Sequence, residues 1–127
     1  MIKMVKKNIL SIITALIILY LSFARAETFS GINVLGLKHL DKFVHASMYF
    51  GLMIVLLYEN RSALKNIRSL YVLAIIPLVY GILIEVFQSW LTVSRKGDFF
   101  DAIFNLIGIF LASMGWWWFH NVRKKEN

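Results

Sequence analysis

The chain has 127 residues, of which 59% are hydrophobic and only 17% are charged, against about 25% in an ordinary soluble domain. One proline and seven glycines exclude disordered and low-complexity classes, and the absence of cysteine excludes disulfide scaffolds, thiolate metal sites and cysteine nucleophiles. A net charge of +7 on so apolar a chain indicates a membrane with basic flanks rather than nucleic acid, and the length allows one domain, residues 1–127.

Four apolar stretches carry the hydrophobic excess, and each has about the 20 residues that a membrane-spanning helix needs. No strand-like alternation competes with them, and the connections between them are short. We therefore predict an all-α integral membrane four-helix bundle. The helices are expected at about residues 8–24, 40–58, 69–93 and 99–119.

The first stretch follows a basic start, and Ala24-Arg25-Ala26 behind it has the small-x-small form of a signal-peptidase site. Because the apolar run is long for the core of a signal peptide, we favour a retained first helix, with cleavage as the alternative. Glu27 lies outside the membrane in both cases.

The distribution of basic residues predicts the orientation, because lysine and arginine accumulate on the cytoplasmic side. Nine of them lie in the N-terminus, the 59–68 loop and the C-terminus, against five on the other side. Both termini are therefore expected in the cytoplasm, in a multi-pass protein of the bacterial cytoplasmic membrane. Residues 116–118, three tryptophans, then lie at the cytoplasmic interface.

Polar residues within the second and third helices are expected at one depth, near the outer leaflet. Asp41 and His45 are spaced i, i+4 at the start of the second helix and so share a face, and Glu85 and Gln88 are spaced i, i+3 near the end of the third. An intramembrane carboxylate indicates function by default, so Glu85 is expected to serve or organise a functional site. No catalytic residue is assigned, and Glu85 and His45 are the candidates if the site is catalytic. Gln88 is expected to support Glu85.

The fourth helix begins at the same depth with a polar face formed by Asp98, Asp101 and Asn105. Charges at matching depth can pair, so the polar faces of three helices are expected to pack together. The predicted ligand-binding residues are Asp41, Lys42, His45, Glu85, Gln88, Arg95, Asp98, Asp101 and Asn105.

Each of these residues also has a simpler explanation. Asp98 and Asp41 can cap their helices, and basic side chains such as Lys42 and Arg95 can extend to lipid headgroups. The charges of the group nearly cancel, which favours internal ion pairs over a carboxylate cage for a metal. Asp98 and Asp101 are only weak metal candidates, and no cofactor is expected.

Packing motifs are also present. The pairs Ser47-xxx-Gly51 and Gly108-xxx-Ala112 are small-xxx-small patterns that permit close helix contact. Pro77 is expected to kink the third helix, because it removes a backbone hydrogen bond.

Over residues 38–112 the chain resembles the VanZ-like family of small bacterial membrane proteins. The resemblance rests on three motifs in order: Asp41-Lys42-x-x-His45, Gly81-x-x-x-Glu85-x-x-Gln88 and Arg95-x-x-Asp98-x-x-Asp101-x-x-x-Asn105-x-x-Gly108. It implies a cell-envelope membrane protein and a link to antibiotic resistance, namely low-level resistance to the glycopeptide teicoplanin.

Three functions remain open at this stage. The polar residues form a site for an anionic lipid headgroup or a cell-envelope ligand, or they catalyse a reaction on a phospholipid, or they lock a bundle that acts through partner proteins. The expected partners are membrane lipids, with a cell-wall precursor or glycopeptide as a further ligand and no nucleic acid. The oligomeric state is left open. Diheme cytochromes, small multidrug exporters, lipid-phosphate phosphatases, CDP-alcohol transferases and CAAX-type proteases are disfavoured because their signature residues are missing.

Overall fold

The computed structural model describes residues 1–28, 40–91 and 99–126, and every regular element in these ranges is a helix. In chain order they are α1 (Ile2–Lys7), α2 (Ile9–Thr28), α3 (Leu40–Glu59), α4 (Ile67–Leu91) and α5 (Phe99–Glu126). The predicted all-α class is thus confirmed for the described part of the chain. The structure adds the short basic helix α1, and α5 continues beyond its predicted end at residue 119.

Two of these helices are long and apolar enough to cross a membrane. The most apolar windows of α4 and α5 have mean hydropathies of 2.3 and 1.6, and only 28% of each window is buried inside the protein. The apolar part of α2, Ile9–Ala24, is shorter, and α3 carries Asp41 in its first turn. Four membrane-spanning helices were predicted, and two of the described helices are long and apolar enough to be such spans.

Contacts between helices define their relative directions. Ser11, near the start of α2, binds Glu59 at the end of α3. His45 lies near the start of α3, and it contacts Asn105 near the start of α5 and Glu85 near the end of α4. The helices therefore alternate in direction, with α2 and α4 running one way and α3 and α5 the other. We call the end with His45 the site end and the end with Glu59 the basic end.

The core is formed around α3, which packs most extensively against α5. Tyr49, Met53 and Leu57 of α3 are essentially inaccessible to solvent. Their spacing of four residues places them on one face, as helical periodicity requires. Other buried apolar side chains come from each of the remaining long helices: Ile18, Leu70, Ile84, Ile109 and Ala112.

The closest approach of two helices is at Gly108. A Cβ atom there would overlap the backbone carbonyl of Ala46 on α3, so only glycine permits the contact. Gly108 and Ala112 are both buried, as expected for a packing motif. The other predicted pair, Ser47 and Gly51, makes no close helix contact with the described residues: Ser47 is exposed and bonds to Phe43 of its own helix, and a Cβ on Gly51 would meet none of their atoms within 4 Å. α4 runs through Pro77, which is buried.

The N-terminus of α2 is capped by a side chain from a distant part of the chain. The Glu59 carboxylate accepts hydrogen bonds from the backbone N–H groups of Leu10 and Ser11, at 2.8 and 3.1 Å, and from the Ser11 hydroxyl. These are N–H groups that a helix leaves without intrahelical partners. Asn60 adds a 2.8 Å bond to Asn8. α2 is thereby attached to the end of α3.

These bonds also change the acidity of Glu59. Partial burial raises the pKa of its carboxyl group, but the hydrogen bonds from Ser11 and Leu10 outweigh that effect and hold the pKa below its usual value of 4.5. The negative charge is therefore stabilised in the folded state.

The contact at Gly108 gives the first prediction. Gly108→Ala should lower the free energy of unfolding by about 1–3 kcal/mol, because the new methyl group pushes α3 and α5 apart. Gly115→Ala on the same helix is the control, since its Cβ would meet nothing within 4 Å. Thermal unfolding of both variants in detergent checks this, and equal melting temperatures would contradict it.

The cap gives the second prediction. Glu59→Gln should destabilise the protein by an amount near the lower end of the roughly 0.5–2 kcal/mol typical of helix caps, because Glu59 is partly exposed. Since the folded-state pKa is lowered, the stabilisation is complete above pH ~4.5 and is lost as the pH falls through the lowered value. Melting temperatures measured from pH 6 to pH 3 should therefore converge for wild type and Glu59→Gln. A constant difference would contradict the role of the charge, and Glu126→Gln is the exposed control.

Candidate functional site

A buried histidine lies at the centre of the polar residues. His45 is only 4% exposed. Its Nδ1 is 3.1 Å from Oδ1 of Asn105, so Nδ1–H donates a hydrogen bond to that oxygen. The contact joins α3 to α5 and sets the orientation of the imidazole ring. The other ring nitrogen, Nε2, consequently faces away from Asn105.

Three carboxylates from three helices surround the imidazole. Nε2 is 3.7 Å from Oδ2 of Asp101 and 4.0 Å from Oδ1 of Asp41, while Nδ1 is 4.0 Å from Oε1 of Glu85. These separations are within the range of ion pairs but longer than hydrogen bonds. We call Asp41, His45, Glu85, Asp101 and Asn105 the His45 cluster.

The cluster confirms the predicted juxtaposition of polar faces. On α4, Gly81, Glu85 and Gln88 are buried, and on α5 Asp101 and Asn105 are buried at i, i+4. Asp101 and Asn105 are each 2% exposed, which is rare for such side chains unless other polar groups accompany them. Three polar faces thus meet at the site end.

Tyr49 and Gly81 form the inner boundary of the cluster. A Cβ on Gly81 would lie 3.0 Å from Cε1 of Tyr49 and 3.2 Å from Nδ2 of Asn105, so glycine lets α4 approach these two side chains. Nδ2 of Asn105 is buried and has no hydrogen-bond partner among the described residues. An oxygen atom of a ligand or water molecule would satisfy this donor.

Lys42 is a described basic residue next to the cluster in the chain, at the edge that we call the rim. It follows Asp41 on α3, and its Nζ lies 5.4 Å from the centroid of the Phe100 ring on α5. A cation over an aromatic ring is favourable at such a distance. The predicted site residues Arg95 and Asp98 lie outside the described residues, and so does the predicted capping role of Asp98.

Gln88 has a role that the sequence did not reveal. Its Nε2 donates a 2.8 Å hydrogen bond to the backbone carbonyl of Ser22, which ties α4 to α2. Tyr80, two turns earlier, donates a hydrogen bond to the Ala15 carbonyl. The sequence predicts that Gln88 supports Glu85. None of the residues of the three motifs lies on α2. Backbone carbonyls leave no trace in a sequence, so this attachment was not predictable.

Among the described residues, three potential metal ligands lie together. The ligand atoms of Asp41, His45 and Asp101 are all within 4.8 Å of one another. Of the predicted metal candidates, Asp101 belongs to this group, and Asp98 lies outside the described residues. The i, i+4 spacing of Asp41 and His45 was the available signal for two of the three. The approach of α5, which adds Asp101, is a tertiary contact.

No protein-family model, curated protein or solved structure matches this chain. The chemistry of the site therefore rests on the groups that it contains. An imidazole, three carboxylates and an amide are held together where three helices meet. Such a set can hold a cation, accept a proton or orient a polar ligand.

The bond between Gln88 and Ser22 gives the third prediction. Gln88→Leu should lower the free energy of unfolding by about 0.5–1.5 kcal/mol, the net contribution of a typical intramolecular hydrogen bond. Ser113→Ala is the control, because the Ser113 hydroxyl bonds only within its own helix, to Ile109. Unfolding curves in detergent test the difference, and a loss no larger than in Ser113→Ala would refute it.

Proposed function

We propose that the chain is a VanZ-like integral membrane protein whose His45 cluster, near the outer leaflet, binds a phosphate-bearing lipid headgroup or cell-envelope ligand. The observation that carries the proposal is the convergence of buried polar side chains from α3, α4 and α5 at one end of an apolar bundle. Burying such groups costs free energy, and intramembrane ionisable residues are retained mainly where they serve a function.

The exposed apolar surface supports a membrane location. Along α4, large hydrophobic side chains that point away from the bundle are 40–66% exposed, and soluble proteins rarely expose apolar patches of this extent. They include Tyr71, Val72, Ile75, Ile76, Val79, Ile82, Leu83, Val86 and Phe87. In this proposal lipid chains cover this surface, and α2 and α3 span the membrane beside α4 and α5.

The arrangement of charge supports an orientation with both termini in the cytoplasm. Because α2 begins and α3 ends at the basic end, the lysines of α1 lie near the loop that contains Arg61 and Lys65. α5 runs parallel to α3, so its C-terminal basic residues lie at the same end. The positive-inside rule assigns this end to the cytoplasm and the His45 cluster to the outside.

The ligand class follows from the rim of the cluster. Lys42 provides a positive charge there, and Arg95 and Lys96 follow α4 in the sequence. Arginine and lysine bind phosphate through charge-assisted hydrogen bonds, while buried acceptors such as Glu85 can orient hydroxyl groups. The outer leaflet supplies phospholipids and lipid-linked cell-wall precursors, and the latter would connect the site with glycopeptide resistance.

A second candidate function is catalysis on a phospholipid at the same site. The observation in its favour is that Glu85 Oε1 lies 4.0 Å from His45 Nδ1, a separation that a small side-chain movement on ligand binding would reduce to the hydrogen-bond reach needed for proton transfer. Release of phosphate or headgroup from lipids by the purified protein would distinguish an enzyme from a binding protein.

Lipid-dependent stability gives the fourth prediction. Phosphatidylglycerol should raise the melting temperature of the full-length protein more than phosphatidylcholine does, because the site selects an anionic headgroup. Arg95→Ala and Lys42→Ala should each reduce this increment. Lys124→Ala removes the same charge at the basic end and should leave most of it intact.

The outcomes are distinct. An increment that is unchanged in Arg95→Ala and Lys42→Ala would refute headgroup binding at this site. An increment reduced only by Lys124→Ala would place the lipid at the opposite end. If no lipid affects any variant but the Glu85→Gln protein fails to fold, the cluster is structural.

A further inference from the structure

We infer that Asp41, His45 and Asp101 bind a divalent transition-metal ion, with Zn²⁺ as the closest match, and that the ion contacts the phosphate of the ligand. The first part goes beyond the proposed function and stands on the geometry alone. The second part rests on the proposed function, since it names how the same site recognises phosphate.

The orientation of His45 is the first argument. Metal-ligating histidines usually direct one ring nitrogen to the metal and donate the other N–H to a carbonyl or carboxylate oxygen. Here Nδ1–H donates to the amide oxygen of Asn105 at 3.1 Å. Nε2 is thereby directed at the carboxylates of Asp41 and Asp101, as a metal ligand would be.

The distances around Nε2 are the second argument. They are 3.7 Å to Asp101 Oδ2 and 4.0 Å to Asp41 Oδ1, too long for hydrogen bonds, and Nε2 makes no hydrogen bond with any described residue. Zinc binds imidazole nitrogen and carboxylate oxygen at about 2.0–2.2 Å in tetrahedral geometry, so two ligand atoms of one ion lie about 3.3–3.6 Å apart. The three ligand atoms here lie within 4.8 Å of one another, so side-chain movements of about 1 Å would bring them around one ion.

Burial and exposure show where the ion would be open to a ligand. The side chains of His45 and Asp101 are 5% and 3% exposed, whereas that of Asp41 is 35% exposed. Three protein ligands with one open side are typical of zinc sites that bind a further molecule. The open side lies on the Asp41 edge of the cluster, where Lys42 is the next residue.

The identity of the ligand atoms selects the metal class. One imidazole nitrogen and two carboxylate oxygens suit zinc and similar transition metals, whereas Mg²⁺ and Ca²⁺ prefer oxygen ligands throughout. A doubly charged ion would also add positive charge to the cluster, which favours an anionic ligand such as phosphate. Metal and phosphate binding would therefore support each other.

The experiment measures metal binding by the full-length protein in detergent, purified without a histidine tag and stripped with a chelator. Zn²⁺ is added, and the bound metal is counted by elemental analysis and titration calorimetry. We expect one ion per chain. His45→Gln and Asp101→Asn should bind at least about tenfold more weakly, and Asn105→Ala about 10–100-fold more weakly through loss of the support to His45.

His120→Gln is the matched control, because His120 is exposed near the end of α5 and contacts Trp116 of its own helix. It should bind zinc like wild type. X-ray absorption of the zinc-loaded wild type needs no variant, and it should show one imidazole with oxygen ligands at about 2.0–2.2 Å. The inference would be overturned if the wild type bound no stoichiometric zinc, or if His45→Gln bound zinc as tightly as wild type. A zinc coordination shell without imidazole would also overturn it.

The two proposals fail separately. Phosphatidylglycerol stabilisation measured with zinc and with chelator tests the contact between ion and phosphate. Zinc binding without any lipid effect would refute the proposed ligand and retain the metal site. A lipid effect that is equal with zinc and with chelator would retain the ligand and refute the contact.

Discussion

The fold depends on the burial of one imidazole among carboxylates inside an apolar bundle. Ionisable groups in such surroundings are stable only when other polar groups lie close to them, and no single helix supplies enough of these groups. His45 takes a hydrogen-bond acceptor from α5 and carboxylates from its own helix, α4 and α5. This requirement brings three helices together at one depth. The contact of Gly108 with Ala46 then allows α3 and α5 to remain close along their length.

The remaining long helix is attached by a different kind of interaction. Three side chains form hydrogen bonds with backbone groups of α2: Glu59 at its first turn, Tyr80 in its middle and Gln88 near its end. Such bonds require little of the sequence of α2 itself, which can therefore be almost wholly apolar. The bundle thus combines a chemically specific side, formed by α3, α4 and α5, with a helix that is held mainly through its backbone.

The helical class and the polar faces were predictable because both follow from local spacing. Asp41 and His45 at i, i+4, and Asp101 and Asn105 at i, i+4, lie on single faces whatever the partners are. The partners themselves were not predictable. Gln88 bonds a backbone carbonyl, a Cβ on Gly51 would meet no described atom within 4 Å although Gly51 belongs to a small-residue pattern, and Asp101 approaches His45 because α5 lies beside α3 at that point. The meeting of the three polar faces was predictable, but the individual atoms that pair are decided by tertiary packing, which no short sequence pattern encodes.

The central claim is that the His45 cluster faces the outside of the cell in a four-pass membrane protein. The chain has no cysteine, so single introduced cysteines can be labelled without background. Asn33→Cys lies in the predicted external loop, and Ser62→Cys lies between α3 and α4 at the basic end. A membrane-impermeant maleimide applied to intact cells should label Asn33→Cys at once and Ser62→Cys only after the membrane is opened. Labelling of Ser62→Cys in intact cells with protection of Asn33→Cys would contradict the account.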